Sequence, residues 1–225
     1  MPDNAIEGNI KRLHAELPPE VTLVAVSKFH PVEALRSAYD AGQRVFGESR
    51  AVEMVAKAKA LPGDIQWHFI GHLQTNKVRQ IVPYVSLIHS IDSARLLKLV
   101  SDEAVRANRV VDVLLQAHVA DENTKTGFMP DELIMFANSY DSVQYPGVRI
   151  CGLMGMATNT DDTERVMADF NALQSLFGRV KNTPVGGNGQ FSVLSMGMSH
   201  DYTLALQCGA NMVRIGSMIF GDRQY

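Results

Sequence analysis

An apolar run near the amino terminus leads directly into a lysine: V-T-L-V-A-V-S-K-F-H, from Val21 to His30. Six apolar or β-branched residues in succession describe a strand buried on both faces. Side chains alternate along a strand, so Val24, Val26 and Lys28 share one face. An ammonium at the exit of such a strand is costly to desolvate unless it has a partner or a task. Burial there lowers its pKa and leaves the amine available to attack an aldehyde. The competing reading is a lysine that ends a strand and snorkels into water. A second basic residue, Arg214, stands inside the short apolar stretch A-N-M-V-R-I-G, on the face of Met212. A guanidinium in a buried strand needs an acceptor, either a ligand or an internal ion-pair partner.

Both residues depend on strands to place them, and strands alternate with helices along the whole chain. A helix over Asn4–Leu17, capped by Asp3 or Asn4, precedes the first strand. Further strands are expected at Arg44–Phe46, Gln66–Ile70, Val85–His89, Val110–Val119, Val148–Met154, Phe191–Met196 and Met212–Ile215. Between them fall helices from Pro31 to Ala41, from Ser49 to about Leu61, and over Thr75–Val82, Asp92–Ala107, Asp131–Ser139, Asp161–Val180 and Ser199–Cys208. Thr160 is the expected cap of the helix that follows it. The loop Ala120–Pro130 is polar, and the Gly- and Pro-rich linker Lys181–Gln190 is long enough to be mobile. Eight strand–helix units imply parallel pairing and close most naturally into a single (β/α)8 barrel over residues 1–225. An open doubly wound sheet would carry a glycine-rich fingerprint after its first strand, and S-K-F-H-P is not one.

Composition narrows the function. The chain has 225 residues, 46% of them hydrophobic, and a net charge of −3 without a basic cluster, which disfavours nucleic acid as a partner. No secretory signal and no membrane span is expected. Cys151 and Cys208 each lie in an apolar stretch, as buried thiols do in a reducing compartment. A cytoplasmic location follows as an expectation.

In a barrel of this type the chemistry collects where strands end, and phosphate commonly sits beyond strands seven and eight. S-M-G-M-S-H-D follows strand seven, with Gly197 allowing close backbone approach and Ser199 expected as a helix N-cap. R-I-G-S follows strand eight, where Gly216 and Ser217 offer backbone N–H groups and a hydroxyl. Two such loops converging on one spot make an anion site without any lysine. Strand three and its loop read W-H-F-I-G-H-L-Q-T-N-K, with His68 and Ile70 on one face and polar groups including Asn76 beyond. His68, His89 and His118 raise a metal site, but the carboxylates that metal barrels present at strand ends are not evident. Ser199-His200-Asp201 is contiguous and cannot fold back into a hydrolytic triad. An aldehyde for Lys28, a phosphate for the last two loops and an aromatic ring nitrogen for Arg214 together describe pyridoxal 5′-phosphate.

L-V-A-V-S-K, F-G-E-S-R, W-H-F-I-G-H-L-Q-T-N-K, G-L-M-G-M, S-M-G-M-S-H-D and V-R-I-G-S-M-I-F-G together resemble the pyridoxal phosphate homeostasis proteins, the YggS or PROSC type. The resemblance runs in the same order from about Ile10 onward. It implies that Lys28 is the Schiff-base lysine holding the cofactor as an internal aldimine, and that Ser199, Gly216 and Ser217 hold its phosphate. Arg214 would face the pyridine nitrogen, keeping it unprotonated and the ring a poor electron sink. Gly197, His68, Met154 and Asn76, all within the shared motifs, join them as cofactor-binding candidates. Ser49 stands where similar proteins carry asparagine, which puts a side-chain contact from that position in question. The lead-in to the first strand is also shorter than usual.

The same barrel resembles the amino-terminal domain of alanine racemases (fold type III). Those enzymes set a tyrosine opposite the lysine, held by a second domain and a partner subunit, and no such domain fits here. Tyr202, the nearest tyrosine, falls within the seventh helix. General acid–base work on both faces of the cofactor needs two placed groups. The resemblance therefore implies a non-catalytic carrier that leaves pyridoxal phosphate open to solvent and delivers it to apoenzymes, as a monomer or weak dimer. Two alternatives stand beside it: a weak racemase, and an aldolase whose Lys28 forms an imine with a sugar phosphate.

Overall fold

Eight short apolar strands pair in sequence order and close on themselves, β1 against β8. They are β1 (Thr22–Val26), β2 (Val45–Glu48), β3 (Gln66–Phe69), β4 (Val85–Ile91), β5 (Val111–Gln116), β6 (Val148–Met154), β7 (Val193–Met198) and β8 (Met212–Ile215). Every pairing is parallel. Helices α1 (Pro2–Glu16), α2 (Val32–Asp40), α3 (Ala51–Ala60), α4 (Val78–Ile81), α5 (Ala94–Arg106), α6 (Pro130–Asn138), α7 (Thr163–Lys181), α8 (Tyr202–Gln207) and α9 (Ser217–Phe220) complete the (β/α)8 barrel. The computed structural model describes residues 2–121 and 126–221, apart from the side chains of residues 2–4 and 188. α1 begins at Pro2, so Asp3 and Asn4 fall inside the helix rather than at its cap, and part of the Ala120–Pro130 loop lies outside the described residues.

Alternation along the strands produces two apolar layers. Val24, Leu87, Leu114, Cys151, Met154 and Met212 pack together inside the barrel. Leu23, Ala25, Phe46, Trp67 and Phe69 belong to the larger layer beneath the helices. The β1–β8 register sets Val24 beside Arg214, so both residues follow the inner face toward the carboxyl ends of the strands. Gly152, in the G-L-M-G-M motif, is a packing requirement, because a Cβ there would lie 1.8 Å from the Val193 carbonyl oxygen.

Several boundaries move for local reasons. β2 continues through Glu48, and β5 ends at Gln116 rather than Val119. The helix expected over Thr75–Val82 divides into a 3-10 turn, Thr75–Lys77, and α4. α7 is capped by Asp162, whose carboxylate accepts the Glu164 and Arg165 N–H groups, while Thr160 accepts the Asp162 N–H. α8 starts at Tyr202, three residues later than expected. Asp201 takes the Met198 N–H at 2.5 Å, and Gly197 turns the chain at φ +92°. The Lys181–Gln190 linker is pinned by a fully buried Val185 and a 3-10 turn at Gly186–Asn188. Among the described residues no helix is long and apolar enough to cross a membrane.

Candidate functional site

At the carboxyl ends of the strands lies a cavity of about 570 Å³, a usual size for a small-molecule site. β1 contributes Val26 and, just past its end, Lys28; Ser49 follows β2, and Ile70 and Gly71 follow β3. Met198 at the end of β7 leads to Ser199 and His200, and Arg214 on β8 leads to Gly216 and Ser217. The cavity thus brings together six of the residues singled out from sequence: Lys28, Ser49, Ser199, Arg214, Gly216 and Ser217.

The other four stand elsewhere. Gly197 is the turn beneath the wall, and a Cβ there would meet the Ala205 Cβ at 2.7 Å. Met154 is packed among the apolar residues inside the barrel, and Met156, one rung nearer the mouth, lines the cavity instead. His68 faces a second cavity at the amino-terminal end of the barrel, beside Asp112 and Arg149. Asn76 lies in a separate groove with His72, Asp92 and Arg95. Sequence reasoning also passed over His30, Met156, His200 and Gly221, which line the site. For Met156 a signal was present, since it continues the alternation of Met154.

Ser199 does not cap a helix. Its Oγ accepts the Gly216 N–H at 3.2 Å, which joins the loops after β7 and β8 at the cavity wall. The Gly216 N–H is thus committed to Ser199 rather than offered to a ligand, and the hydroxyls of Ser199 and Ser217 are left on the same stretch of cavity wall as a neutral set of the kind that holds a phosphate.

Arg214 is buried without a carboxylate partner among the described residues. Its Nη1 donates to the Ser195 carbonyl at 3.0 Å and to Ser195 Oγ at 2.8 Å, and Nη2 donates to the Gly155 carbonyl at 3.0 Å. A guanidinium has five N–H groups, so two remain for a ligand in the cavity. Burial lowers its pKa to about 10, against the pull of Asp201, and it stays a cation at neutral pH.

Behind Arg214 a polar chain crosses the barrel. Ser195 Oγ lies 3.1 Å from His89 Nδ1, and His89 Nε2 lies 3.0 Å from His68 Nδ1. Arginine can only donate, so the Ser195 hydroxyl proton is free for His89 Nδ1, and His89 then donates through Nε2 to His68. That assignment makes both imidazoles neutral. Burial lowers His68 to about 3, and burial, followed by the charges of His68 and Arg214, lowers His89 well below its ordinary 6.5. Such groups bind protons in the unfolded chain first, so stability is complete above about pH 6.5 and falls as the pH drops toward the folded values. Between pH 7 and pH 5 the expected loss is roughly 2 kcal/mol from His68, and His89 adds to it in the same direction. Urea unfolding at the two pH values checks this, and His89→Gln should flatten the dependence. Equal midpoints would show that neither imidazole is held neutral.

Comparison with known proteins agrees with this geometry. The family model described as "Alanine racemase, N-terminal domain" matches residues 3–224. A pyridoxal phosphate homeostasis protein of Aquifex aeolicus is 38% identical over 204 residues, covering 90% of this chain and 87% of that protein. One from Schizosaccharomyces pombe is 39% identical over 207 residues, covering 90% and 84%. Among solved structures, PipY of Synechococcus elongatus with PLP bound superposes with a TM-score of 0.84 at 35% identity, covering 96% of this chain and all of that one. Alanine racemase from Bartonella henselae shares the fold, with a TM-score of 0.70 at 17% identity over 99% of this chain and 61% of its own. With the shared motifs spread around one barrel mouth and these relatives matching nearly its full length, the chain belongs to the pyridoxal phosphate homeostasis protein family, the YggS or PROSC type.

Proposed function

We propose that this protein binds pyridoxal 5′-phosphate covalently through Lys28 and holds it in reserve for apoenzymes, without turning over amino acids. One observation carries the reading. A lysine amine, a buried guanidinium with two uncommitted N–H groups, and the Ser199–Gly216–Ser217 patch all border one cavity. When bound, pyridoxal phosphate supplies an aldehyde that condenses with an amine and a ring whose nitrogen governs how much electron density it accepts. Lys28 would offer the amine for that condensation, in which the aldehyde oxygen leaves as water. Ser199 and Ser217 would hold the phosphate by their hydroxyls, with the Gly216 N–H fixing Ser199 Oγ in place, and Ser49 lines the wall between them and β3.

Arg214 lines the cavity as a cation, and beside the ring it would disfavour protonation of the nitrogen, which would leave the ring a weak electron sink. Tyr202, the tyrosine nearest the phosphate patch in sequence, does not line the cavity, and its hydroxyl lies 3.5 Å from Glu16 Oε2 on α1. Among the described residues no tyrosine lines the cavity to serve proton transfer on the far face of the cofactor. Cys151 and Cys208 are buried free thiols, which suits a protein of the cytoplasm.

Purified protein incubated with pyridoxal phosphate should develop a visible absorption band, and borohydride should fix the label to the peptide carrying Lys28. No band, or a label on another lysine, would overturn the assignment. Steady interconversion of L- and D-alanine by the loaded protein would overturn its role as a carrier without turnover.

A further inference from the structure

The F-G-E-S-R motif sends only Ser49 into the cavity, and most of its remaining polar groups turn toward the chain around Lys28. Phe29, the residue after the lysine, has φ +68°. That left-handed conformation is unfavourable for any residue with a β-carbon, and most of all for a bulky one. It is gripped at two points by the start of α3. The Phe29 N–H donates to Glu53 Oε2 at 3.0 Å, and the Arg50 guanidinium sits 4.5 Å from the centre of the Phe29 ring. Arg50 in turn lies 3.6 Å from Glu53.

The residue before the lysine is held as firmly. Lys57 Nζ donates to the Ser27 carbonyl at 2.9 Å, and the Ser27 hydroxyl donates to Glu48 Oε1 at 2.7 Å. Lys57 itself is buried against both carboxylates, 2.7 Å from Glu48 and 3.5 Å from Glu53. A buried ion triad adds little to stability over apolar residues of the same size. What this one specifies is the path of two peptide groups, those on either side of Lys28.

We propose that Glu53 and Lys57 are positioning residues for Lys28. They fasten the Ser27–Phe29 backbone to α3 in a strained conformation that directs the amine into the barrel mouth. The proposal rests on the reading of Lys28 as the attachment point. It assigns Glu48, Arg50, Glu53 and Lys57 to the lysine rather than to the cofactor.

Two ligands separate the lysine from the rest of the site. Pyridoxal phosphate uses the amine, whereas pyridoxine 5′-phosphate has no aldehyde and uses only the phosphate and ring contacts. In Glu53→Ala, covalent capture of pyridoxal phosphate, read as growth of the visible band, should slow about tenfold. The dissociation constant of pyridoxine phosphate should stay within about twofold. Adding Phe29→Gly should bring capture back to within about threefold of the wild type, because glycine takes φ +68° without steric cost.

Lys57→Met should show the same pattern more strongly. Should that variant not fold, Glu53→Ala decides alone, since the Glu53 side chain is 24% exposed and its loss is tolerable. Capture at the wild-type rate in Glu53→Ala, with normal pyridoxine phosphate binding, would overturn the positioning role and leave the site reading intact. So would parallel loss of both ligands that Phe29→Gly does not reverse. Wild-type protein that binds neither ligand would overturn the site reading and the positioning role together.

Discussion

Lys28→Ala should abolish the visible band completely while leaving the fold intact. The substitution removes the amine that bonds the aldehyde, but it touches neither the Ser199–Gly216 contact nor the acceptors of Arg214. Pyridoxal phosphate would still meet the phosphate patch and the guanidinium, so binding becomes weak and reversible. Loss of a bond formed within a pre-organised site should cost at least about 100-fold in affinity, or ~2.7 kcal/mol. Unfolding stability should change much less than affinity, because Lys28 lines an open cavity and is only half-buried. Equilibrium dialysis of the cofactor, with urea unfolding as control, measures both. A band that persists in Lys28→Ala would remove the basis for every residue role assigned around it.

Arg214→Glu has the second large effect, and it reaches stability as well as binding. The Ser195 carbonyl and hydroxyl and the Gly155 carbonyl would each lose a charged donor. In its place a buried carboxylate would face carbonyl oxygens, with no cation supplied to pair it. Breaking a buried charged arrangement this way costs about 3–5 kcal/mol, and the urea midpoint should fall accordingly. The cofactor should respond too. A carboxyl group opposite the ring nitrogen favours its protonation, so the absorption spectrum should shift and slow conversion of alanine should become measurable. Arg214→Gln keeps N–H donors without charge and should retain more stability than Arg214→Glu. If Arg214→Glu leaves both spectrum and affinity unchanged, the guanidinium does not face the ring.

The unabsorbed part of F-G-E-S-R shows how a motif can be prominent without touching a ligand. In sequence it stands beside S-K-F-H only as another shared segment. In the folded chain β1 and β2 are neighbours, so Glu48 at the end of β2 meets the Ser27 hydroxyl, and Glu53 and Lys57 on α3 meet the peptides flanking Lys28. Nothing in either segment alone announces that Phe29 adopts a left-handed conformation. Its N–H is accepted by Glu53, twenty-four residues later, and its ring is covered by Arg50.

Face and order were legible in the residues themselves. Alternation has a period of two wherever a strand forms, so Val24, Val26 and Lys28 could be put on one face of their strand, and His68 and Ile70 on one face of theirs, without any knowledge of their neighbours. Eight strand–helix units were enough to name the barrel, and its closing strands marked the Ser199 and Gly216 loops. Depth along the barrel axis was not legible. It depends on the stagger between adjacent strands, which is a property of pairing between distant segments. That stagger leaves His68 at the opposite opening, sinks Met154 below Met156, and puts Asn76 in a groove of its own. It also gives Arg214 three neutral acceptors contributed by β7 and the residue after β6. The chain's own periodicity thus determined which side chains share a face; only closure of the sheet decided which of them meet, because the partners come from distant segments, as Val24 and Arg214 do across β1 and β8.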